Sequence, residues 1–187
     1  MSDTRTKILD VAEDLIQRVG LNAMSYQHIS EAVGIRKASI HHHFPKKDDL
    51  VDELLERCRL SYDQNYTSIV EGSGTAPEKL HNLAGLFLKG LTSNKVCLIG
   101  SMSTDRNTLQ EHSCRILEKS IQRTVTTISH VFRQGKEEGS LTFSGSEEEA
   151  AYGYISFLIG AQIVARCHGG ELWFKKSAQT MIEAFAA

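Results

Sequence analysis

The chain has 187 residues, 41% of them hydrophobic, with 23 acids against 21 lysines and arginines and a formal net charge of −2. That length suffices for one large or two small domains with a real core, and the balanced charge excludes binding of polyanions through the overall field of the protein. Four cysteines, Cys58, Cys97, Cys114 and Cys167, show neither the paired spacing of a zinc site nor the density of a disulfide scaffold, so reduced thiols and no metal or cofactor are expected. The opening "MSDTRTKILDVAEDLI" carries acids throughout and lacks the apolar core of a secretory signal, which points to a cytoplasmic chain. The longest apolar run, Tyr154 to Ala165, is interrupted by Gln162 and is shorter than the ~20 residues a membrane helix needs, so a buried helix and no membrane partner are expected.

Hydrophobic spacing is helical nearly everywhere. In the first helix Ile8, Val11, Ala12, Leu15, Ile16 and Val19 recur at offsets of three and four, and Gly20 ends the run. Ser25 caps a second helix. Ile29, Val33, Ile35 and Ile40 then fall where two short helices crossing at a tight turn bury side chains against each other, with small Ser30 at the closest approach. Gly34 makes the turn, because glycine takes the left-handed conformation without a Cβ clash. The third helix runs roughly Lys37 to His43, and Pro45 stops it, since the residue before proline avoids the helical region. A fourth helix, about Lys47 to Val70, carries Val51, Leu54, Leu55, Cys58, Tyr62, Tyr66 and Ile69 on one side.

"EGSGTAPEKL" breaks the chain, and Thr75-x-x-Glu78 is a capping box opening a fifth helix with Leu80, Leu83, Ala84, Phe87 and Leu91 on its apolar face. Thr92 to Asn107 reads as a turn with short helical pieces. A long helix follows from about Leu109 to Glu138, with Leu117, Ile121, Thr124, Ile128, Val131 and Phe132 at core spacing and Gly139 closing it. Ser146-x-x-Glu149 is a second capping box, opening a helix that reaches about His168. "GGE" breaks the chain again before a last helix, Leu172 to Phe185.

The segment "ISEAVGIRKASIHHHFPKK" combines the helix-turn-helix spacing with positive and imidazole groups and no acid between Arg36 and Lys47. A local basic face of this kind suits DNA phosphates even when the whole chain is neutral. The candidate DNA contacts are Ser25 and Tyr26 at the start of the second helix, Arg36, Lys37, Ser39, His41 and His42 on the outward side of the third, and Lys46 and Lys47 after it. His43, three residues after Ile40, is expected to pack inward. The three histidines do not make a metal site, because adjacent helical residues point in different directions.

Residues from about Thr4 to Leu55 resemble the N-terminal domain of the TetR family of transcriptional regulators, through "MSYQHISEAVGI", "RKASIHHHF" and "PKKDDL". The resemblance implies a dimeric repressor whose affinity for double-stranded operator DNA falls when a small molecule enters the C-terminal domain. One position departs from the family pattern. The tyrosine common in the middle of the recognition helix is here His41, so a phosphate or base contact by a phenol is replaced by one from an imidazole.

Periodicity and resemblance together give an all-α chain of about nine helices. Residues 1–46 form a three-helix helix-turn-helix DNA-binding domain, and 47–187 a larger helical effector-binding and dimerisation domain. The eighth helix is apolar on more than one side, and Gly153 and Gly160 allow a close helix approach, so a homodimer is expected through Gly153, Gly160, Ala161, Val164, Phe174 and Met181. An apolar or aromatic effector would sit among Tyr62, Phe87, Leu91, Cys97, Met102, Leu117, Ile121, Tyr154 and Phe157. "KVCLIGS" is similar to a segment in a subset of TetR-type regulators, some of which sense electrophiles or oxidants through a cysteine there. Two readings of Cys97 stand: a thiol activated by nearby Lys95, or an inert buried residue. The chain holds no G-x-S-x-G, H-E-x-x-H, P-loop or glycine-rich nucleotide turn, so no enzyme is expected. A helical adaptor that has lost DNA binding is the remaining alternative, and it conflicts with the intact basic face.

Overall fold

The computed structural model describes residues 3–187. In chain order it contains α1 (Thr4–Val19), α2 (Tyr26–Val33), α3 (Lys37–His43), α4 (Lys47–Glu71), α5 (Ala76–Thr92), α6 (Leu98–Thr104), a 3-10 turn (Arg106–Thr108), α7 (Glu111–Glu138), α8 (Glu147–Cys167) and α9 (Gly170–Glu183). Among the described residues, β pairing is limited to one antiparallel bridge between Leu141 and Ala186.

The chain forms two compact units, residues 1–60 with 98–120 and residues 61–97 with 121–187. This differs from a division at 46/47. The first part of α4 buries Leu50, Val51, Leu54 and Leu55 in the first unit, and α6 adds Leu98, Ile99 and Met102 to it.

In the first unit α1 buries Ile8, Leu9, Ala12 and Ile16. Leu9 is inside although the spacing placed Val19 there, and Val19 is 56% exposed. Gly20 follows at φ 89, a conformation that turns the chain out of the helix. Ile29 and Ile40 are fully buried, whereas Val33 and Ile35 are only half-buried, because they border the turn itself. Arg57 of α4 pairs with Asp10 and Glu13 of α1 at 2.7 Å each, and Ser113 donates to Asp52 at 2.5 Å.

In the second unit α5, α8 and α9 pack on one another. Both capping boxes form as the sequence requires, Thr75 with Glu78 and Ser146 with Glu149. Tyr154 is fully buried, donates its hydroxyl to the Leu80 carbonyl at 2.7 Å, and meets Phe132 and Phe185 edge-on. By length and composition α8 is apolar enough to cross a membrane. Its inner face is instead keyed to α5 by polar groups. Gln162, 2% exposed, accepts the Cys97 N–H and donates to the Phe87 carbonyl, both at 2.6 Å. Gly90 makes this possible, since a Cβ there would lie 2.9 Å from the Gln162 amide nitrogen. Lys79, also buried, donates to the Val70 carbonyl at the end of α4 and to Gln134.

Replacing Gln162 by leucine leaves the buried Cys97 N–H without its acceptor, which costs about 1–3 kcal/mol. Gln162→Leu is therefore expected to lower the urea midpoint, with the slope of the transition unchanged. An unaltered midpoint would show that the amide contributes nothing to the second unit.

Candidate nucleic-acid interface

The helix-turn-helix is built from the turn outward. Ser25 accepts the His28 N–H at 3.3 Å and so caps α2, satisfying one of the open amides of the first turn. At the far end Gly34 takes φ 76, and the Ser30 carbonyl accepts both the Gly34 and the Ile35 N–H. The Ser30 hydroxyl completes the lock by donating to the Ile35 carbonyl at 2.6 Å. Serine is needed there for its donor as well as its size.

The exit from α3 is held from two sides. The Tyr26 hydroxyl lies 2.9 Å from the Phe44 carbonyl and 2.8 Å from the Lys46 carbonyl, and its single hydrogen is shared between them. On the other side Arg5 pairs with Glu53, donates to the His43 carbonyl at 2.9 Å, and stacks over the fully buried Phe44 ring at 4.4 Å. The Lys46 N–H donates to Asp49, which caps α4.

On this frame Arg36, Lys37, His41, His42 and Lys46 are exposed, and Ser25, Tyr26, Ser39 and Lys47 are half-buried. His41 turns its ring edge to Tyr26 at 4.9 Å. His43 is the least exposed of the three histidines, half-buried rather than inside. A depression of about 450 Å³, lined by Thr4, Ile35, Ala38, Ser39, His42 and His43, shares Ser39 and His42 with this face. Lys47 is used differently from the other cations. Its ammonium donates to the Leu21 and Met24 carbonyls, both at 2.8 Å, so two of its three hydrogens brace the α1–α2 turn, and burial lowers its pKa.

The remaining sequence-derived positions divide. Met102 and Leu117 are buried in the first unit, while Tyr62, Phe87, Leu91, Cys97, Ile121, Tyr154 and Phe157 belong to the second. Cys97 is buried, with its sulfur 4.0 Å from the Tyr62 hydroxyl. Gly153, Gly160 and Val164 are exposed on α8, and Ala161 and Met181 are half-buried. Phe174 is a correction. At 1% exposure it fills the core of its own unit, so a partner cannot reach it. The apolar side chains that α9 does expose are Leu172 and Trp173, and α8 adds Tyr152 and Ile163. Sequence spacing placed Ile163 on the second apolar side of α8 but did not single out Tyr152, Leu172 or Trp173, which lie off the stripe facing the core.

A locked helix-turn-helix whose second helix presents cations and imidazoles outward is the arrangement of a DNA-binding transcriptional regulator. The comparisons agree. Residues 8–54 match the family model of bacterial regulatory proteins, tetR family. The transcriptional repressor NemR of Escherichia coli K12 is 24% identical over 170 residues, spanning 88% of this chain and 84% of that protein. The repressor KstR2 of Rhodococcus jostii is 43% identical over 54 residues, 29% of this chain and 26% of that one. Among solved structures, a TetR-family regulator from Agrobacterium tumefaciens superposes with a TM-score of 0.92 at 28% identity, covering 98% of this chain and 97% of that chain. Residues 8–54 thus match a TetR-type DNA-binding domain, and the whole chain has the fold of TetR-family regulators.

Burial, with Asp49 and Asp48 nearby, pushes the Tyr26 phenol up to about 12 from 10.0. A group whose folded pKa is raised contributes stability that is complete below its unfolded value and is lost as pH rises through the folded one. Stability is thus expected to fall between pH 10 and about 12. Tyr26→Phe should lower stability at neutral pH by about 1 kcal/mol and flatten that alkaline decline, with Tyr154, which burial also raises, keeping part of it. Urea midpoints at pH 7 and pH 11 for both proteins check this, and parallel declines would contradict it.

Proposed function

We infer that the protein is a cytoplasmic repressor that binds a palindromic operator as a homodimer and releases it when a small apolar or aromatic effector binds the C-terminal part. The carrying observation is the face of Arg36, Lys37, His41, His42 and Lys46, held outward by the locks at both ends of α3. The repressor reading is supported by NemR and KstR2, which carry that name. The dimer reading is supported by Tyr152, Ile163 and Val164 of α8 and Leu172 and Trp173 of α9, large apolar side chains left uncovered. Gly153 and Gly160 add open space on α8 in which a second helix fits. A dimer also fits the two half-sites, about 34 Å apart, that a helix-turn-helix reads.

Gel shifts with the DNA flanking its own gene test the reading. Lys37→Ala should weaken binding to all sequences alike and lower the salt slope by about one unit per subunit. An unchanged slope would remove Lys37 from the phosphates. Gly160→Glu should give monomer in sedimentation and lose most of the affinity, whereas a wild-type monomer at micromolar concentration would contradict the dimer.

A sensing role for Cys97 is the second reading, carried by the likeness of its segment to that of TetR-type regulators that sense through a cysteine there. Its burial, and the donation of its thiol to the Tyr62 hydroxyl at 4.0 Å, weigh the other way. Cys97→Ser and wild type should therefore lose DNA to the same extent on treatment with iodoacetamide. Selective resistance of the serine variant would instead establish the cysteine as the sensor.

A further inference from the structure

The turn between α1 and α2 sets where α2 begins, and a residue 84 positions along the chain from Leu21 closes it. Asp105 follows α6, and its own carbonyl accepts the Thr108 N–H at 2.9 Å and the Thr108 hydroxyl at 2.8 Å, which fixes it at the start of the 3-10 turn. Its carboxylate reaches the α1–α2 turn. Oδ2 accepts the Leu21 N–H at 2.9 Å and the Asn22 N–H at 3.4 Å, while Oδ1 accepts the Asn22 side-chain amide at 2.8 Å. One helical turn earlier, Ser101 donates to the Ile16 carbonyl at 2.9 Å, the same carbonyl that takes the Gly20 N–H.

This segment therefore meets the end of α1 with a donor for a carbonyl and an acceptor for the amides that follow. Lys47 completes the grip by donating to the Leu21 and Met24 carbonyls of the same turn. The Leu21 and Asn22 N–H groups go to Asp105, the Leu21 and Met24 carbonyls to Lys47, and the Met24 N–H closes on the Leu21 carbonyl at 3.3 Å, with Ser25, the cap of α2, directly after. Gly20 is required here by its φ of 89 and not by space, since a Cβ would stand in ordinary contact with the Asp105 carboxylate at 3.5 Å.

We propose that Asp105 is a positioning residue for DNA binding, which by holding the Leu21 and Asn22 amides fixes the start of α2 and with it the placing of Ser25, Tyr26 and the α2–α3 pair against the duplex. The proposal rests on the DNA-binding reading above. It predicts a sign opposite to simple electrostatics. Removing an acid from a unit that approaches a polyanion favours binding, whereas removing a clasp disfavours it.

The test titrates wild type, Asp105→Ala and Asp105→Asn into fluorescein-labelled DNA from the region flanking the gene, at several salt concentrations, with amide exchange followed in parallel. Asp105→Ala is expected to bind about tenfold more weakly, the scale of losing one charge-assisted contact. Its salt slope should match wild type, because Asp105 neutralises no phosphate. Exchange should accelerate at Leu21 and Asn22 and stay unchanged in α5. Asp105→Asn keeps one acceptor oxygen and should fall between, and it decides the matter if the alanine variant does not fold. Equal or tighter binding, a changed slope, or weaker binding without faster exchange at Leu21 and Asn22 would overturn the proposal, as would failure of Asp105→Asn to fold. No binding by wild type would sink the DNA-binding reading, and the proposal with it.

Discussion

A recognition helix of seven residues cannot hold itself. Isolated helices shorter than about 12 residues are marginal in water, and α3 buries fully only Ile40, so its direction is set by what grips its ends. At the entrance Ser30 uses its carbonyl and its hydroxyl on the Gly34–Ile35 turn. At the exit Tyr26 and Arg5 take the carbonyls of His43, Phe44 and Lys46 from opposite sides. These contacts leave the outward face to Lys37, His41 and His42, all three exposed, with His41 resting its ring against Tyr26.

The polar contacts of the two units differ in weight. Arg57 with Asp10 and Glu13, and Arg106 with Glu118, are ion pairs open to solvent, and such pairs contribute about 0–1 kcal/mol each. Gln162 and Lys79 are buried, and every hydrogen bond they make replaces one that water cannot supply. Lys79 in addition places a cation on the Val70 carbonyl, in the last turn of α4, where the helix dipole favours it. The fold therefore depends more on a few internal polar keys than on its many surface charges.

Much of the fold was legible because its signals are local. Both capping boxes, the left-handed Gly34 and the bounds of α3 follow from residues within a few positions of each other, and the structure has them where the spacing puts them. Long-range contacts were not legible. Gln162 reads as an interruption in an apolar run until α5 and Cys97 are seen around it. Phe174 has the spacing of an interface residue and the surroundings of a core one. Asp105 lies in a stretch whose irregular pattern gave only short helical pieces, and nothing near it in sequence points to a turn 84 residues away. The basic residues of the candidate interface were legible as a set, but the division of labour within it was not. Lys47 carries the same charge as Lys46 and is turned the other way.

The central claim is that α3 and the start of α2 are the surface that meets DNA. A titration of 15N-labelled protein with a duplex from the region flanking its gene tests this residue by residue. The account predicts that the largest amide shifts fall on Tyr26, Lys37, Ser39, His41 and His42. Saturable binding that leaves these amides unmoved, with the shifts confined to residues 61–97 and 121–187, would contradict it.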